Sequence, residues 1–233
     1  MEQVYSSLTQ RAVHVHQKLV RNSGQHRILI AVSGSPGSGK STIASQVVQR
    51  INSILQRPVA ICIAMDGFHY TREYLDTLPN RVEAHACRGA EWTFDANGVV
   101  ALVQMLSISK KTSEPSTIFA PSFDHKLKDP IPNAIRIEPE VEIVIIEGNW
   151  LLLDSDPWKQ IQENVDDTWF VDVDEELASR RIARRHLTAG TEATMEAAIG
   201  RARSNDLQHG TIVRRHSLKP NIWVESVEVN EGK

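Results

Sequence analysis

The chain has 233 residues, room for one large or two small domains at roughly 150 residues each. Apolar residues make up 41% and charged residues 24%, ordinary usage for a globular chain, and 26 Lys+Arg against 29 Asp+Glu leave a formal net charge of -3. That balance argues against a dedicated nucleic-acid binder or a protein held on anionic lipid. Cys62 and Cys87 have neither disulfide-framework nor zinc-knuckle spacing, which suits a reducing compartment. The longest apolar run, Val59 to Met65, is far shorter than the roughly 20 residues of a membrane span. The first residues carry no signal-peptide pattern, so the expected location is the cytoplasm, with the nucleus also open.

In chain order, Val4, Leu8, Val15, Leu19 and Val20 are spaced for an amphipathic helix over 1–22, ended by Asn22-Ser23-Gly24. Arg27 to Val32 is a β-branched apolar run that reads as a strand buried on both faces. The helical spacing of Ile43, Val47, Ile51, Ile54 and Leu55 predicts a helix over 42–55, stopping before Pro58. Further strands are expected at Val59 to Met65, Thr117 to Phe119, Val141 to Ile146 and Thr168 to Val173. Helical patterns at 96–107 and 175–187 separate several of them. The alternation predicts an α/β fold with a doubly wound, mostly parallel sheet flanked by helices. Residues 114–139, rich in proline, read as the least regular part of the chain.

Between the first strand and the helix after it lies Gly34-Ser35-Pro36-Gly37-Ser38-Gly39-Lys40-Ser41-Thr42, which fits G-x-x-x-x-G-K-[ST]. Glycines there turn backbone N–H groups inward around phosphate oxygens, and the helix N-terminus adds partial positive charge. Lys40 is expected to reach the β/γ-phosphates of ATP and Ser41 to ligate Mg²⁺. Ligands of open α/β sheets bind beyond the carboxyl ends of the strands, so Asp66 and Glu147, each at a strand end, fall beside this loop. Glu147 suits the Mg²⁺ site. Asp66 suits the approach of an acceptor hydroxyl, which it would orient and whose proton it would take. Asp172 also ends a strand, but nothing marks it as functional.

Four segments extend the pattern: Met65 to Tyr70 (MDGFHY), Arg88 to Asp95 (RGAEWTFD), Pro121 to His125 (PSFDH) and Glu147 to Leu153 (EGNWLLL). With the glycine loop they resemble, over roughly residues 25 to 225, the uridine kinase, pantothenate kinase and phosphoribulokinase family of P-loop kinases. The resemblance implies a nucleoside-kinase-like P-loop NTPase fold for residues 1–233 as one kinase domain, with a helical lid over 174–203. It further implies Asp66 as the catalytic aspartate, Glu147 as the Walker B acid, and Phe123 and Asp124 as part of an acceptor pocket to which His69, Arg88 and His125 also contribute. The phenyl ring of Phe123 stands where uridine kinases usually carry tyrosine, and Glu91 replaces a proline common before Thr-Phe-Asp. Uridine is therefore one candidate acceptor beside pantothenate-like molecules, sugars and polyols.

Arg180, Arg181, Arg184 and Arg185 share one expected helix, and guanidinium groups over a γ-phosphate neutralise developing charge. Arg184 and Arg185 are the expected catalytic pair, with Gly190 as a hinge. Asn205-Asp206 and Asn221 to Val224 suggest a final loop and strand near the adenine. A nucleotide-hydrolysing switch is the rival reading, but a guanine switch needs Asn-Lys-x-Asp, which does not occur. A partner protein without catalysis is disfavoured because Lys40, Ser41, Asp66 and Glu147 are all present.

Overall fold

The computed structural model describes residues 1–112, 116–124 and 126–228. The chain opens with α1 (Glu2–Ser23), closed by Gly24 at φ 65°, whose N–H bonds Val20 O. There follow β1 (Ile28–Gly34), α2 (Lys40–Leu55) and β2 (Ala60–Ala64), then a 3₁₀ turn over Met65–Phe68. Two short helices, α3 (Arg72–Thr77) and α4 (Arg81–Ala86), precede α5 (Ala96–Ser109), which Asp95 caps by accepting the Gly98 N–H at 2.9 Å. Next come β3 (Ile118–Asp124), β4 (Asp129–Ile137), β5 (Ile143–Glu147), α6 (Gln160–Asn164) and β6 (Asp167–Val173). The chain continues through α7 (Glu175–Thr188), α8 (Met195–Arg201), a π-helical turn (Ala202–Asp206), α9 (Leu207–His216) and β7 (Ile222–Ser226).

Five strands form one parallel sheet in the order β2-β5-β1-β6-β7. Side chains alternate across it with period two, and both faces are covered. On one face Leu29, Ala31, Val144, Ile146 and Phe170 pack with α5 and Trp150 to Leu153. On the other, Ile28, Ile30, Val32, Ile143, Ile145, Trp169 and Val171 pack under α1 and α2. This explains the continuous apolar runs of β1 and β5: each successive residue has its own core. The centre of the sheet is β1, so its C-terminal end delivers the glycine loop to the middle of the sheet's carboxyl edge.

The expected third strand belongs elsewhere. β3 pairs antiparallel with β4 in a separate hairpin, Ile118 opposite Ile137 and Asp124 opposite Asp129, and both lie within the stretch expected to be irregular. Proline explains the misreading. Pro121 falls in the register shift between Ala120 and Ser122, where the ladder needs no donor from it, and a two-stranded hairpin leaves each strand an outer edge on which proline is tolerated. The hairpin is clamped to the 3₁₀ turn: a Cβ at Gly67 would come within 2.5 Å of Pro121 O and 2.8 Å of its carbonyl carbon. The guanidinium of Arg88 donates to Tyr70 O, to Lys128 O and to Asp129 Oδ1, tying the hairpin's far end to the same unit.

At the opposite edge of the sheet Asp167 is 1% exposed and accepts from Arg11 Nε at 2.6 Å, Trp169 Nε1 at 2.8 Å and Asn221 Nδ2 at 2.9 Å. This carboxylate joins α1, β6 and the approach to β7.

Candidate active site

The glycine loop joins β1 to α2 and depends on backbone geometry that side chains would spoil. Gly37 and Gly39 have φ of 76° and 85°, in the left-handed region, and a Cβ on Gly37 would come within 2.9 Å of Ala178 O. Ser38 is buried, and its Oγ has no hydrogen-bond partner among the described residues. Ser35 Oγ donates to Gly210 O at 3.1 Å, fastening the loop to α9. Arg181 braces it from α7, donating to Gly37 O at 3.2 Å, Ser226 Oγ at 2.9 Å and Val227 O at 2.9 Å.

Beside the loop is a cavity of about 170 Å³. Lys40 and Ser41 enter it from α2, Asp66 and His69 from the 3₁₀ turn and its end, Arg88 and Phe94 from the segment before α5, and Glu147 from β5. Arg185, Asn205, Asp206 and His209 close it from the helices after β6. Ser41 Oγ donates to Glu147 Oε1 at 3.0 Å. Burial pushes the Glu147 carboxyl above its ordinary range, with Lys40 and the Ser41 hydroxyl opposing. Desolvation likewise pushes the Lys40 ammonium down, against the pull of Glu147 and Asp66. An ammonium, a hydroxyl and two carboxylates thus converge where an anion and a divalent cation would relieve their crowding. A phosphate cradle with an orphaned Ser38 hydroxyl, next to a Ser41–Glu147 pair of hard oxygen donors, fits a nucleotide with Mg²⁺.

The structure brings together Lys40, Ser41, Asp66, His69, Arg88, Glu147 and Arg185 from the expected set, with Pro36 at the rim. Gly34, Ser35, Gly37, Ser38, Gly39 and Thr42 complete the loop. The His69 ring lies 3.9 Å from Phe94 and 5.0 Å from Phe123, and its Nδ1 is 2.9 Å from Asp66 O. Phe123 is therefore a wall behind His69 rather than part of the cavity lining. Asp124 accepts from the backbone N–H groups of Lys126 and Leu127 and shapes the hairpin turn. His125 lies outside the described residues. Arg184 is exposed and does not line the cavity, whereas Arg185, one residue on, does. Gly190 follows α7 in the left-handed region, at φ 64°.

Asn205 and Asp206, expected in a loop, sit instead in the π-helical turn and line the cavity that Lys40 enters. Asp206 contacts His186 Nε2 at 3.1 Å and Arg185 Nη2 at 3.4 Å, so the turn and α7 present their groups together. A one-residue π insertion re-aims side chains, which is why such turns recur at functional sites. Sequence reasoning missed Asn149 and His209. Asn149 follows Glu147 by two residues, a spacing that could have placed it on the same side. His209 carried no signal, because only the packing of α9 brings it in.

The family model described as Phosphoribulokinase / Uridine kinase family matches residues 29–215. A provisionally named uridine kinase of Schizosaccharomyces pombe is 38% identical over 229 residues, covering 98% of this chain and 93% of that protein. The ATP-dependent kinase-like protein notR' of Aspergillus versicolor is 40% identical over 166 residues, 69% of this chain and 96% of its own. Among solved structures, YFH7 of Saccharomyces cerevisiae superposes with a TM-score of 0.85 at 25% identity, covering 95% of this chain and 98% of that one. A provisionally named fructose transport system kinase from Silicibacter sp. TM1040 gives 0.78 at 28% identity, covering 94% and 98%. The family model spans most of the chain and a relative is 38% identical over almost all of it: the chain belongs to the phosphoribulokinase / uridine kinase family of P-loop kinases.

Proposed function

We propose that this protein transfers the γ-phosphate of ATP to a hydroxyl of a small metabolite, residues 1–233 acting as one kinase domain with a lid over 174–203. The observation that carries the reading is the convergence of Lys40, Glu147 and Asp66 in one cavity at the mouth of the glycine loop. Lys40 and the loop N–H groups bind the β/γ-phosphates, and Ser41 and Glu147 would hold Mg²⁺, which when bound neutralises phosphate charge. Asp66 orients the acceptor hydroxyl. Its oxygen forms the new bond to the γ-phosphorus, the bond from that phosphorus to the bridging oxygen breaks with its electron pair leaving on ADP, and the proton passes to the Asp66 carboxylate. Arg185 faces the transferring group from α7. Free Cys62 and Cys87 suit a cytoplasmic setting.

The test is Asp66→Asn, which keeps shape but removes proton acceptance. Transfer should fall at least about a hundredfold while calorimetric ATP affinity stays within twofold. If Asp66→Asn consumes ATP at the parent rate, and no nucleoside, pantothenate, glycerate, sugar or polyol accelerates consumption in the parent, a nucleotide-hydrolysing switch becomes the better account.

A further inference from the structure

The wall of the cavity formed by Asn149 and His209 has no part in the phosphate chemistry above. Asn149 is fixed by its backbone, whose carbonyl accepts from Ser33 Oγ at 2.8 Å. Its side-chain Oδ1 is buried and has no hydrogen-bond partner among the described residues, although it belongs to a residue lining the cavity. Leaving such an acceptor unpaired in a buried place is unfavourable, a penalty that a ligand hydroxyl would remove. His209 lies edge-on to Trp150, ring centroids 5.8 Å apart. Burial pushes its imidazole below the ordinary histidine range, with Asp206 and Glu91 pulling the other way; this favours the neutral ring, in which one nitrogen donates and the other accepts.

Charge and size narrow what can bind there. The cavity holds three cationic side chains, Lys40, Arg88 and Arg185, and three carboxylates, Asp66, Glu147 and Asp206. Arg88 is held by Asp129 at 2.8 Å and Arg185 lies 3.4 Å from Asp206, while Lys40 serves the nucleotide. Among the described lining residues cationic and acidic side chains are equal in number, so the cavity offers no excess of positive charge to favour a charged acceptor. The volume, about 170 Å³ including the space a γ-phosphate needs, is well under the roughly 300–1,000 Å³ of pockets that hold drug-sized ligands. His69, pressed against Phe94 and Phe123, separates this cavity from a groove of about 450 Å³ lined by Tyr70, Tyr74 and Pro130, the place where a flat base would find aromatic surface.

We propose that Asn149 and His209 form an acceptor subsite for a small uncharged polyhydroxy compound, a free sugar or polyol, in preference to a nucleoside or a hydroxy acid. This rests on the kinase reading and specifies its acceptor. Asn149 Oδ1 accepts from one hydroxyl and His209 holds a second, leaving a third to face Asp66.

The experiment uses the full chain with ATP and Mg²⁺, following ADP release. The neutral probes are D-fructose, D-ribose, erythritol and xylitol. They are set against uridine, cytidine, D-glycerate and pantothenate. At least one neutral probe should exceed every nucleoside and anion about tenfold in kcat/KM. Asn149→Ala should then raise the KM for that probe about tenfold, with the ATP dissociation constant within twofold. His209→Phe, which keeps an aromatic ring on Trp150, should shift KM in the same direction and covers the case in which Asn149→Ala fails to fold. A nucleoside or anion as the best acceptor overturns the subsite and leaves the kinase standing. An unchanged KM in both variants also overturns it. If no probe exceeds water, the kinase reading falls and takes the subsite with it.

Discussion

The Ser41 hydroxyl donates to Glu147 Oε1 at 3.0 Å, so the first turn of α2 and the end of β5, 106 residues apart in the chain, share one hydrogen bond inside the cavity. The bond aligns two oxygen donors for a divalent cation. Glu147→Gln keeps the shape but removes the one negative charge of that pair, so the Mg²⁺ concentration giving half-maximal rate should rise by about tenfold or more. Because the carboxylate is buried and its charged form disfavoured, the amide should not lower the thermal midpoint. An unaltered Mg²⁺ dependence would remove Glu147 from the metal site.

The arginines of α7 should separate by what each touches. Arg185 faces the cavity, so Arg185→Ala should lower kcat by about 10²-fold or more, with little change in KM for ATP. Arg184 does not line the cavity, and Arg184→Ala should stay within about twofold of the parent. Arg181 holds Gly37 O and the end of β7, so its removal should act mainly on ATP binding. Steady-state kinetics of the three variants decide this, and equal effects at 184 and 185 would sink the assignment.

Gly67→Ala tests the coupling between the hairpin and the Asp66 turn. The added methyl would collide with the Pro121 carbonyl, a backbone group that cannot rotate aside, so the hairpin must move. Transfer should fall more than tenfold while ATP affinity, which depends on the far side of the cavity, is retained. A variant with parent-like transfer kinetics would show the hairpin to be irrelevant to the acceptor side.

Arg11→Ala concerns stability. Burial would raise the Asp167 carboxyl, but hydrogen bonds from Arg11, Trp169 and Asn221 outweigh it and hold the group below its ordinary range. A depressed folded-state pKa contributes stability above the unfolded value of roughly 3.9, and that contribution is lost as pH falls through the folded value. Removing Arg11 strands a buried charge and should cost about 3 kcal/mol at pH 7. The gap between variant and parent should narrow as the pH drops below about 4. Urea unfolding at several pH values measures it, and a gap independent of pH would mean that Arg11 acts through packing alone.

The middle of the central sheet was legible because β1, β5 and β6 are buried almost throughout, β1 and β5 as continuous apolar runs and β6 around Trp169 to Val171. The glycine loop, Asp66 and Glu147 were legible for a related reason, since a strand end fixes where the next side chain goes. Two kinds of feature stayed hidden. The start of β3 was expected as a strand, but its length, β4 and their pairing as a separate hairpin were not, because the three prolines they contain are tolerated only through a bulge and free edges that no window of sequence displays. Asp206 and His209 reach the cavity through the π-helical turn, where one extra residue rotates everything after it relative to a regular helical reading. The choice between Arg184 and Arg185 was of the same kind, a rotation of about 100° that only the packing of α7 on Ala202 and Leu207 decides.

The order of strands has a consequence for the protein's birth on the ribosome. The strand that carries the phosphate loop is made early, yet its neighbours come late: Ile28 pairs with Ile143, and Gly34 with Val171. Until the polypeptide has grown past β5, β1 is an apolar segment without either flanking partner, and until it has grown past β6 one side of the strand that anchors the loop stays unpaired. A nascent chain that ends before residue 171 is thus unable to hold nucleotide, and arrested chains of increasing length should gain ATP protection against protease only after both neighbours of β1 have emerged.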